Sequence, residues 1–238
     1  MAELQVVGSG SRQGNTYLLK TSKQVLILDL GCKWEDILEA INYDLSNVSS
    51  CLVTHLHKDH SKSIPIALKY QLPVYSCQNV VDKFTGVIPL FESKKYKIGD
   101  FTVQPINVYH NVENYAYVID HEEIGRLLFI TDCVRFPYRI KGCNHILCEC
   151  NYSNDIIIDN MMQNYDIRSQ NQFHMELEDT IECIRNNIST ELNTLIICHL
   201  SLYQSDENMF KQRIHDEFGI MPYVADKGLK IELNKEEF

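Results

Sequence analysis

A short segment of the sequence combines three histidines with an aspartate in the spacing H-x-H-x-D-H. The residues are His55, His57, Asp59 and His60, and they directly follow the apolar, β-branched run 51–54. In an extended backbone, side chains two positions apart point the same way, so His55 and His57 can reach one metal ion. The chain must then turn, which presents Asp59 and His60 to a second site. Imidazole nitrogens and carboxylate oxygens suit zinc at about 2.0–2.2 Å. A surface loop that happens to be rich in histidine explains this spacing less well.

Three further candidate ligands each follow a predicted strand. His110 follows the run 101–109, Asp132 follows 126–131, and His199 follows 193–198. Taken singly, a histidine or aspartate at a strand end is more often a turn residue or a hydrogen-bonded residue at the rim of a site. Together with the H-x-H-x-D-H segment, however, they place metal-binding side chains after four strands, which favours one shared metal centre.

The composition narrows the class of protein. The 238 residues are enough for one sizeable domain, and 22 basic against 32 acidic side chains give a net charge of −10. This charge argues against a protein that coats nucleic acid non-specifically, but it does not exclude an enzyme whose site holds divalent metals. The nine cysteines have no repeated spacing, which indicates free thiols in a reducing compartment. Because we find neither a secretory signal nor an apolar stretch of membrane-spanning length, we expect a cytoplasmic protein with no membrane partner.

The hydrophobic pattern predicts strands and helices that alternate in both halves of the chain, with a strand-rich middle. The predicted strands are 4–7, 15–20, 24–29, 51–54, 73–76, 101–108, 115–119, 126–130, 145–150, 194–198 and 229–233. The predicted helices are 34–41, 64–70, 155–165, 177–188 and 205–218. The run 94–97 is predicted to be a solvated turn, with phosphate contact as the alternative. This order of elements implies two packed sheets with helices outside.

The spacing of the ligands resembles the signature of the metallo-β-lactamase superfamily, in the form carried by its two-metal hydrolases. The resemblance implies one hydrolase domain over residues 1–238, an αββα sandwich of two mixed sheets with helices on both outer faces. It implies that His55, His57 and His110 hold one metal, that Asp59, His60 and His199 hold the other, and that Asp132 bridges both. Metal ions about 3.5–4 Å apart can share a hydroxide that attacks at neutral pH, and Asp59 would aim it. Zinc is expected at a histidine-rich site, with manganese or iron as alternatives.

Two further residues resemble a glutamate–histidine pair found in the ribonuclease Z-like hydrolases of that superfamily. In those enzymes a glutamate at a strand end orients a histidine that protonates the leaving oxygen. Glu149 closes the predicted strand 145–150, and His174 precedes a predicted helix, so the resemblance implies these two catalytic roles. Alternatively, Glu149 is a carboxylate at the rim that pairs with a surface lysine or arginine. His174 could likewise be a residue at the start of a helix, without a catalytic role.

The sequence resembles even more closely a group of small single-domain bacterial and phage proteins that are regarded as DNA exonucleases. They carry a Gly-Ser-x-Gly-Asn loop near the start, a Glu-x-Asn strand end and two His-Leu-Ser motifs. The matching segments here are 8–15, which contains an insertion and also fits a plain hairpin loop, then 149–151 and 199–201. Two departures stand out: the first His-Leu-Ser motif is replaced by His174-Met175-Glu176, and Asn111 stands where the group has an acidic residue.

We therefore predict a metal-dependent phosphodiesterase that acts on nucleic acid or a nucleotide, and we favour a nuclease on DNA or RNA that uses a metal-bridging hydroxide. Two metals can clamp the oxygens of a phosphodiester, and a separate histidine can protonate the departing alkoxide. One alternative is an ester or thioester hydrolase of the glyoxalase II type, whose substrate has a better leaving group. The other is a non-catalytic member that binds a nucleotide or a metal. The oligomeric state is left open.

Overall fold

The computed structural model describes residues 2–162 and 171–235. Its strands are β1 (Glu3–Gly8), β2 (Thr16–Lys20), β3 (Val25–Leu28), β4 (Val48–Leu52), β5 (Val74–Ser76), β6 (Ile88–Pro89), β7 (Tyr96–Ile98), β8 (Phe101–Val108), β9 (Asn114–His121), β10 (Gly125–Ile130), β11 (His145–Glu149), β12 (Thr194–Cys198), β13 (Tyr223–Val224) and β14 (Lys230–Glu232). Its helices are α1 (Trp34–Ala40), α2 (Lys58–Ser61), α3 (Ile64–Lys69), α4 (Gln78–Lys83), α5 (Asn154–Met162), α6 (Leu177–Asn187) and α7 (Glu207–Phe218), with a 3₁₀ turn at Asn171–Phe173.

The strands form two sheets of the same design. The first has the order β14-β1-β2-β3-β4-β5-β6, and the second has the order β13-β12-β11-β10-β9-β8-β7. Pairing is antiparallel from β14 to β3 and parallel from β3 to β6. In the second sheet it is antiparallel from β7 to β10 and parallel from β10 to β13. Each sheet is therefore mixed, as expected when hairpins build one half and crossover connections build the other.

The main apolar core lies between the two sheets. Tyr17 and Leu28 of the first sheet belong to the same buried cluster as Phe129 and Ile196 of the second. The rings of Tyr17 and Phe129 meet edge to face, with centroids 5.6 Å apart. The central strands β11 and β12 are buried along their whole length, which explains why their sequences are nearly continuous apolar runs.

Helices cover the outer faces of both sheets. Ile37 of α1 and Ile64 of α3 pack into the main core from the side of the first sheet. Ile181 of α6 and Phe210 of α7 pack against the outer face of the second sheet in a separate cluster. The predicted αββα sandwich is therefore confirmed. Within the described ranges, no helix combines the length and the apolar character needed to cross a membrane.

Most predicted elements appear within a few residues of their expected bounds; one is described only in part, and two expectations differ from the structure. The predicted helix 155–165 corresponds to α5, but its expected end at Tyr165 lies outside the described residues. The expectation of a turn over 94–97 is wrong in its second half, because Tyr96 opens strand β7. The sequence does not predict α2, α4, β6 or β13, since elements of two to six residues are too short to show a period.

Candidate metal centre

The candidate ligands meet at one edge of the sandwich, where several strands end. Strand β4 leads to His55, β8 to His110, β10 to Asp132 and β12 to His199. The short helix α2 begins directly after His57 and occupies a single turn. This turn is the change of direction expected within the H-x-H-x-D-H segment, and it brings the last two ligands of that segment to the same edge.

The first ligand group comprises His55, His57, His110 and Asp132, whose candidate ligand atoms lie within 4.8 Å of one another. His57 Nδ1 is 3.2 Å from His110 Nε2, and His55 Nε2 is 3.8 Å from Asp132 Oδ2. The Nδ1–H of His110 donates to the carbonyl oxygen of Phe173 at 2.8 Å, so its Nε2 is left facing the group. Three imidazoles and a carboxylate are a suitable ligand set for a divalent metal.

The second ligand group comprises Asp59, His60, His199 and, again, Asp132, with ligand atoms within the same 4.8 Å limit. His60 Nε2 lies 3.2 Å from Asp132 Oδ1 and 3.7 Å from Asp59 Oδ2. His199 Nε2 lies 3.6 Å from Asp59 Oδ2. Asp132 therefore faces both groups, the first with Oδ2 and the second with Oδ1.

The pKa values in the centre follow its burial and its charge. Burial and neighbouring imidazoles hold the pKa of His55 well below its usual value, and burial also lowers the pKa of His57. Burial acts in the same direction on His199, but nearby carboxylates, with Asp132 first, outweigh it and raise the pKa of His199 to about 10. The carboxylates of the centre therefore favour a positive charge at His199, and a metal ion bound there would compete with that proton.

One buried atom tests whether a metal ion fits. His55 Nε2 is buried and has no hydrogen-bond partner among the described residues. An unpaired buried polar atom costs about 1–3 kcal/mol, so a native site normally supplies a partner. This nitrogen belongs to a group of three histidines and a carboxylate, whose natural partner is a cation. The residues of the centre therefore fit a divalent metal ion.

Asp29 holds the second group in place and is missed by the sequence analysis. It lies buried just after β3, where its Oδ2 accepts a hydrogen bond from His60 Nδ1 at 2.7 Å. Its Oδ1 accepts from the backbone N–H of Thr54 at 2.7 Å. The backbone of Asp29 is left-handed, with φ of 60°, a strain typical of functional sites. Since Nδ1 of His60 is committed to Asp29, Nε2 is the nitrogen left for a metal. The feature of the sequence that could have identified Asp29 is its position as a carboxylate at the end of an apolar strand.

The loop 8–15 reaches the centre through Asn15. The backbone N–H of Asn15 donates to the carbonyl of Asp59 at 2.7 Å, and its Nδ2 lies 2.8 Å from His60 Nε2. This approach requires Gly31, because a Cβ at that position would lie 1.6 Å from the carbonyl oxygen of Asp59. The loop is therefore part of the centre and not only a hairpin connection.

Glu149 lies fully buried behind the centre and accepts four hydrogen bonds. Its Oε1 accepts from His174 Nδ1 at 2.7 Å and from His199 Nδ1 at 2.9 Å. Its Oε2 accepts from the backbone N–H groups of Cys133 and Met175, both at 3.0 Å. Burial raises the pKa of Glu149, but His174 and its hydrogen bond outweigh burial and lower it. Glu149 is thus not a rim carboxylate paired with lysine or arginine, and it contacts a candidate ligand as well as His174.

His174 lies at the edge of a cleft of about 460 Å³ that is also lined by His57, Asp59 and Asp132. Its side chain is 19% exposed. Burial lowers the pKa of His174, but the charge of Glu149 outweighs it and raises the pKa above its usual value. The sequence departure next to His174 has a structural role, because Glu176 caps α6 by accepting a hydrogen bond from the Glu178 N–H at 2.6 Å.

Comparisons with known proteins agree with this architecture. A family model described as "Anti-Pycsar protein Apyc1" matches residues 2–72. Exodeoxyribonuclease YycJ of Bacillus anthracis is 28% identical over 226 residues, which cover 86% of this chain and 83% of that protein. The metallo-β-lactamase fold protein YhfI from Bacillus subtilis has a TM-score of 0.77 at 17% identity and covers 98% of this chain and 100% of its own. The short form of human tRNase Z has a TM-score of 0.67 at 11% identity, covering 97% and 99%. With its two mixed sheets and outer helices, the chain therefore has the metallo-β-lactamase fold.

Proposed function

We propose that this chain is a metal-dependent phosphodiesterase that acts as a nuclease on DNA or RNA. The proposal rests on one arrangement: two ligand groups share Asp132, and Glu149 holds His174 beside them. A phosphodiester needs charge neutralisation on its oxygens and a proton for its departing alkoxide, and this arrangement supplies residues for both. The similarity to exodeoxyribonuclease YycJ supports the same reaction class. We further propose that residues 1–238 act as one domain.

The metal ligands in this proposal are the seven residues of the two groups. His55, His57 and His110 would hold one divalent ion, Asp59, His60 and His199 would hold the other, and Asp132 would contact both. Zinc fits the histidine-rich set, while manganese or iron also accept mixed nitrogen and oxygen ligands. When bound, two such ions activate water at neutral pH and stabilise negative charge on the phosphate.

The chain's own residues orient the reactants and move the protons. Asp59 lines the cleft beside the second group, where its carboxylate can accept a hydrogen bond from the attacking water and direct it at phosphorus. His174 has its Nδ1–H committed to Glu149, so Nε2 is the nitrogen that delivers a proton to the departing oxygen. The charge of Glu149 raises the pKa of His174, which favours the protonated form that a general acid needs.

The test is a panel of labelled single- and double-stranded DNA and RNA, with and without 5′-phosphate, together with a generic diester. We expect diester cleavage that stops after chelation and returns with zinc, manganese or iron, and elemental analysis should find close to two metals per chain. Asp59→Ala and His60→Ala should each abolish cleavage with the fold intact. His215→Ala, which changes a histidine on the exposed part of α7, should leave it unchanged.

Four results would contradict the proposal. A folded protein that cannot be loaded with any of these metals would remove its basis. Full activity in a well-folded Asp59→Ala variant would show that the mechanism is wrong. Turnover of a glutathione thioester without any diester cleavage would favour an ester or thioester hydrolase, and tight nucleotide binding without turnover would favour a non-catalytic role.

A further inference from the structure

A second cavity adjoins the metal cleft and is larger than it. This cavity, which we call the tyrosine groove, is lined by Tyr109, Asn111, Arg135 and Tyr138 and has a volume of about 1130 Å³. The metal cleft measures about 460 Å³. His110 and Asn111 line both cavities, so the groove begins at the first ligand group. A substrate whose phosphate occupies the metal cleft would therefore extend into the groove.

Two tyrosine rings are exposed to solvent in this groove. Tyr109 is 69% exposed and Tyr138 is 40% exposed. The ring of Tyr138 is nevertheless held in position, because its hydroxyl donates to the carbonyl of Asn107 at 3.2 Å. Its edge also packs on buried Phe136, with ring centroids 5.3 Å apart. A fixed aromatic ring beside a phosphodiester site is the arrangement used to stack unpaired bases, and such stacking contributes about 5- to 150-fold in affinity per base.

The backbone of the groove is fixed as well. The carbonyl oxygen of Tyr109 accepts a hydrogen bond from the Val134 N–H at 3.1 Å. This bond joins the end of β8 to the loop that follows Asp132. Since the same two segments carry His110 and Asp132, the position of the tyrosine groove relative to the ligand groups is determined by the fold.

The charges in the groove favour bases over a run of phosphates. Arg135 is exposed there, but Glu113 and Asp179 line the same cavity. Glu113 is oriented by the N–H of Asn79, which donates to its Oε2 at 2.9 Å. A strand of phosphates would meet these carboxylates, whereas neutral bases stacked on tyrosine would not.

We propose that the tyrosine groove binds one or two unpaired nucleobases next to the scissile phosphate, so that the substrate is single-stranded at the point of cleavage. This inference rests on the proposed function and names its substrate more closely. Bases in a duplex are stacked on one another and cannot lie flat on Tyr109 or Tyr138. DNA and RNA share this chemistry, and both are included in the test.

The experiment measures binding apart from turnover. In an Asp59→Asn background, fluorescence anisotropy would follow a labelled single-stranded DNA or RNA oligonucleotide, its perfect duplex, and an oligonucleotide of equal length without bases. Tyr109→Ala and Tyr138→Ala should each weaken binding of the single strand by about 5- to 150-fold. Tyr138→Phe keeps the ring and should retain most of the affinity. Tyr43→Ala is the matched control, because Tyr43 is 71% exposed and does not line the groove.

Two comparisons decide the result. The tyrosine variants should bind the abasic strand as well as the parent does, because no base is present to stack, and the duplex should bind more weakly than the single strand. Equal losses on normal and abasic strands, or duplex binding as strong as that of the single strand, would overturn the inference. In the catalytic background, oligonucleotide cleavage that is unaffected by the tyrosine variants contradicts only the groove assignment. If binding depends on the bases but the chain with Asp59 intact shows no turnover, the result supports the groove and contradicts the proposed hydrolysis.

Discussion

Replacement of His174 should slow natural substrates selectively. A nucleotide alkoxide is a poor leaving group and needs a proton as the P–O bond breaks, whereas a nitrophenolate departs without one. His174→Ala should therefore reduce kcat/KM on an oligonucleotide by about 10²- to 10⁴-fold. This loss corresponds to about 2.7–5.4 kcal/mol in the barrier, at about 1.36 kcal/mol per tenfold. On a nitrophenyl ester of the same nucleotide, the loss should be small.

The structure indicates a matched variant for this test. The Nδ1–H of His174 donates to Glu149 at 2.7 Å, and the amide of an asparagine can occupy the position of Nδ1. His174→Asn should therefore keep the hydrogen bond to Glu149 without supplying a transferable proton. It should show the same selective loss as His174→Ala, while the thermal stability stays closer to that of the parent. Metal content should not change in either variant.

Steady-state kinetics on the two substrates measures the selectivity directly. Equal losses on both substrates would refute the general-acid role and assign His174 to structure or metal binding. The pH profile adds an independent check. Because the charge of Glu149 raises the pKa of His174, the alkaline limb of kcat/KM should move to lower pH when that charge is removed.

Three further predictions concern the residues around the ligands. Glu149→Gln should lower the free energy of unfolding by about 2–6 kcal/mol. The reason is that an amide leaves two of the four buried donors without an acceptor, at about 1–3 kcal/mol each. Chemical denaturation measures this loss, and an unchanged midpoint would contradict the prediction. Asp29→Asn should weaken metal affinity by about 10- to 100-fold by releasing His60, as measured by competition with a chelator. Gly31→Ala should displace Asp59 and reduce diester cleavage, because its Cβ would lie 1.6 Å from the Asp59 carbonyl; a variant with normal activity would show that the loop is adaptable.

Local patterns in the sequence carried most of the information about the ligands. The H-x-H-x-D-H spacing predicts two ligand pairs, because the direction of neighbouring side chains follows from backbone geometry alone. The strand periods place His110, Asp132 and His199 at strand ends, and the ends of adjacent strands meet at one edge. The α/β class and the sandwich follow from the same alternation of elements.

The sequence was much less informative about the residues that support the ligands. Asp29 and Asn15 reach His60 only because β3 and the loop 8–15 are brought against α2. The sequence predicts a contact of Glu149 with His174 alone, yet its Oε1 also accepts a hydrogen bond from His199. That second contact depends on the parallel register of β11 and β12, in which Glu149 pairs with Cys198.

The tyrosine groove, too, could not be predicted from the sequence. Tyr109 and Tyr138 lie 29 positions apart in the chain, and nothing in their local sequence marks either one as a binding residue. They line one cavity because β8 and the loop after β10 end at the same edge and are joined by the hydrogen bond from Val134 to Tyr109. Side-chain direction within one segment is a local property that sequence spacing encodes. The distance between side chains on different segments depends on sheet register and packing, which are properties of the whole fold.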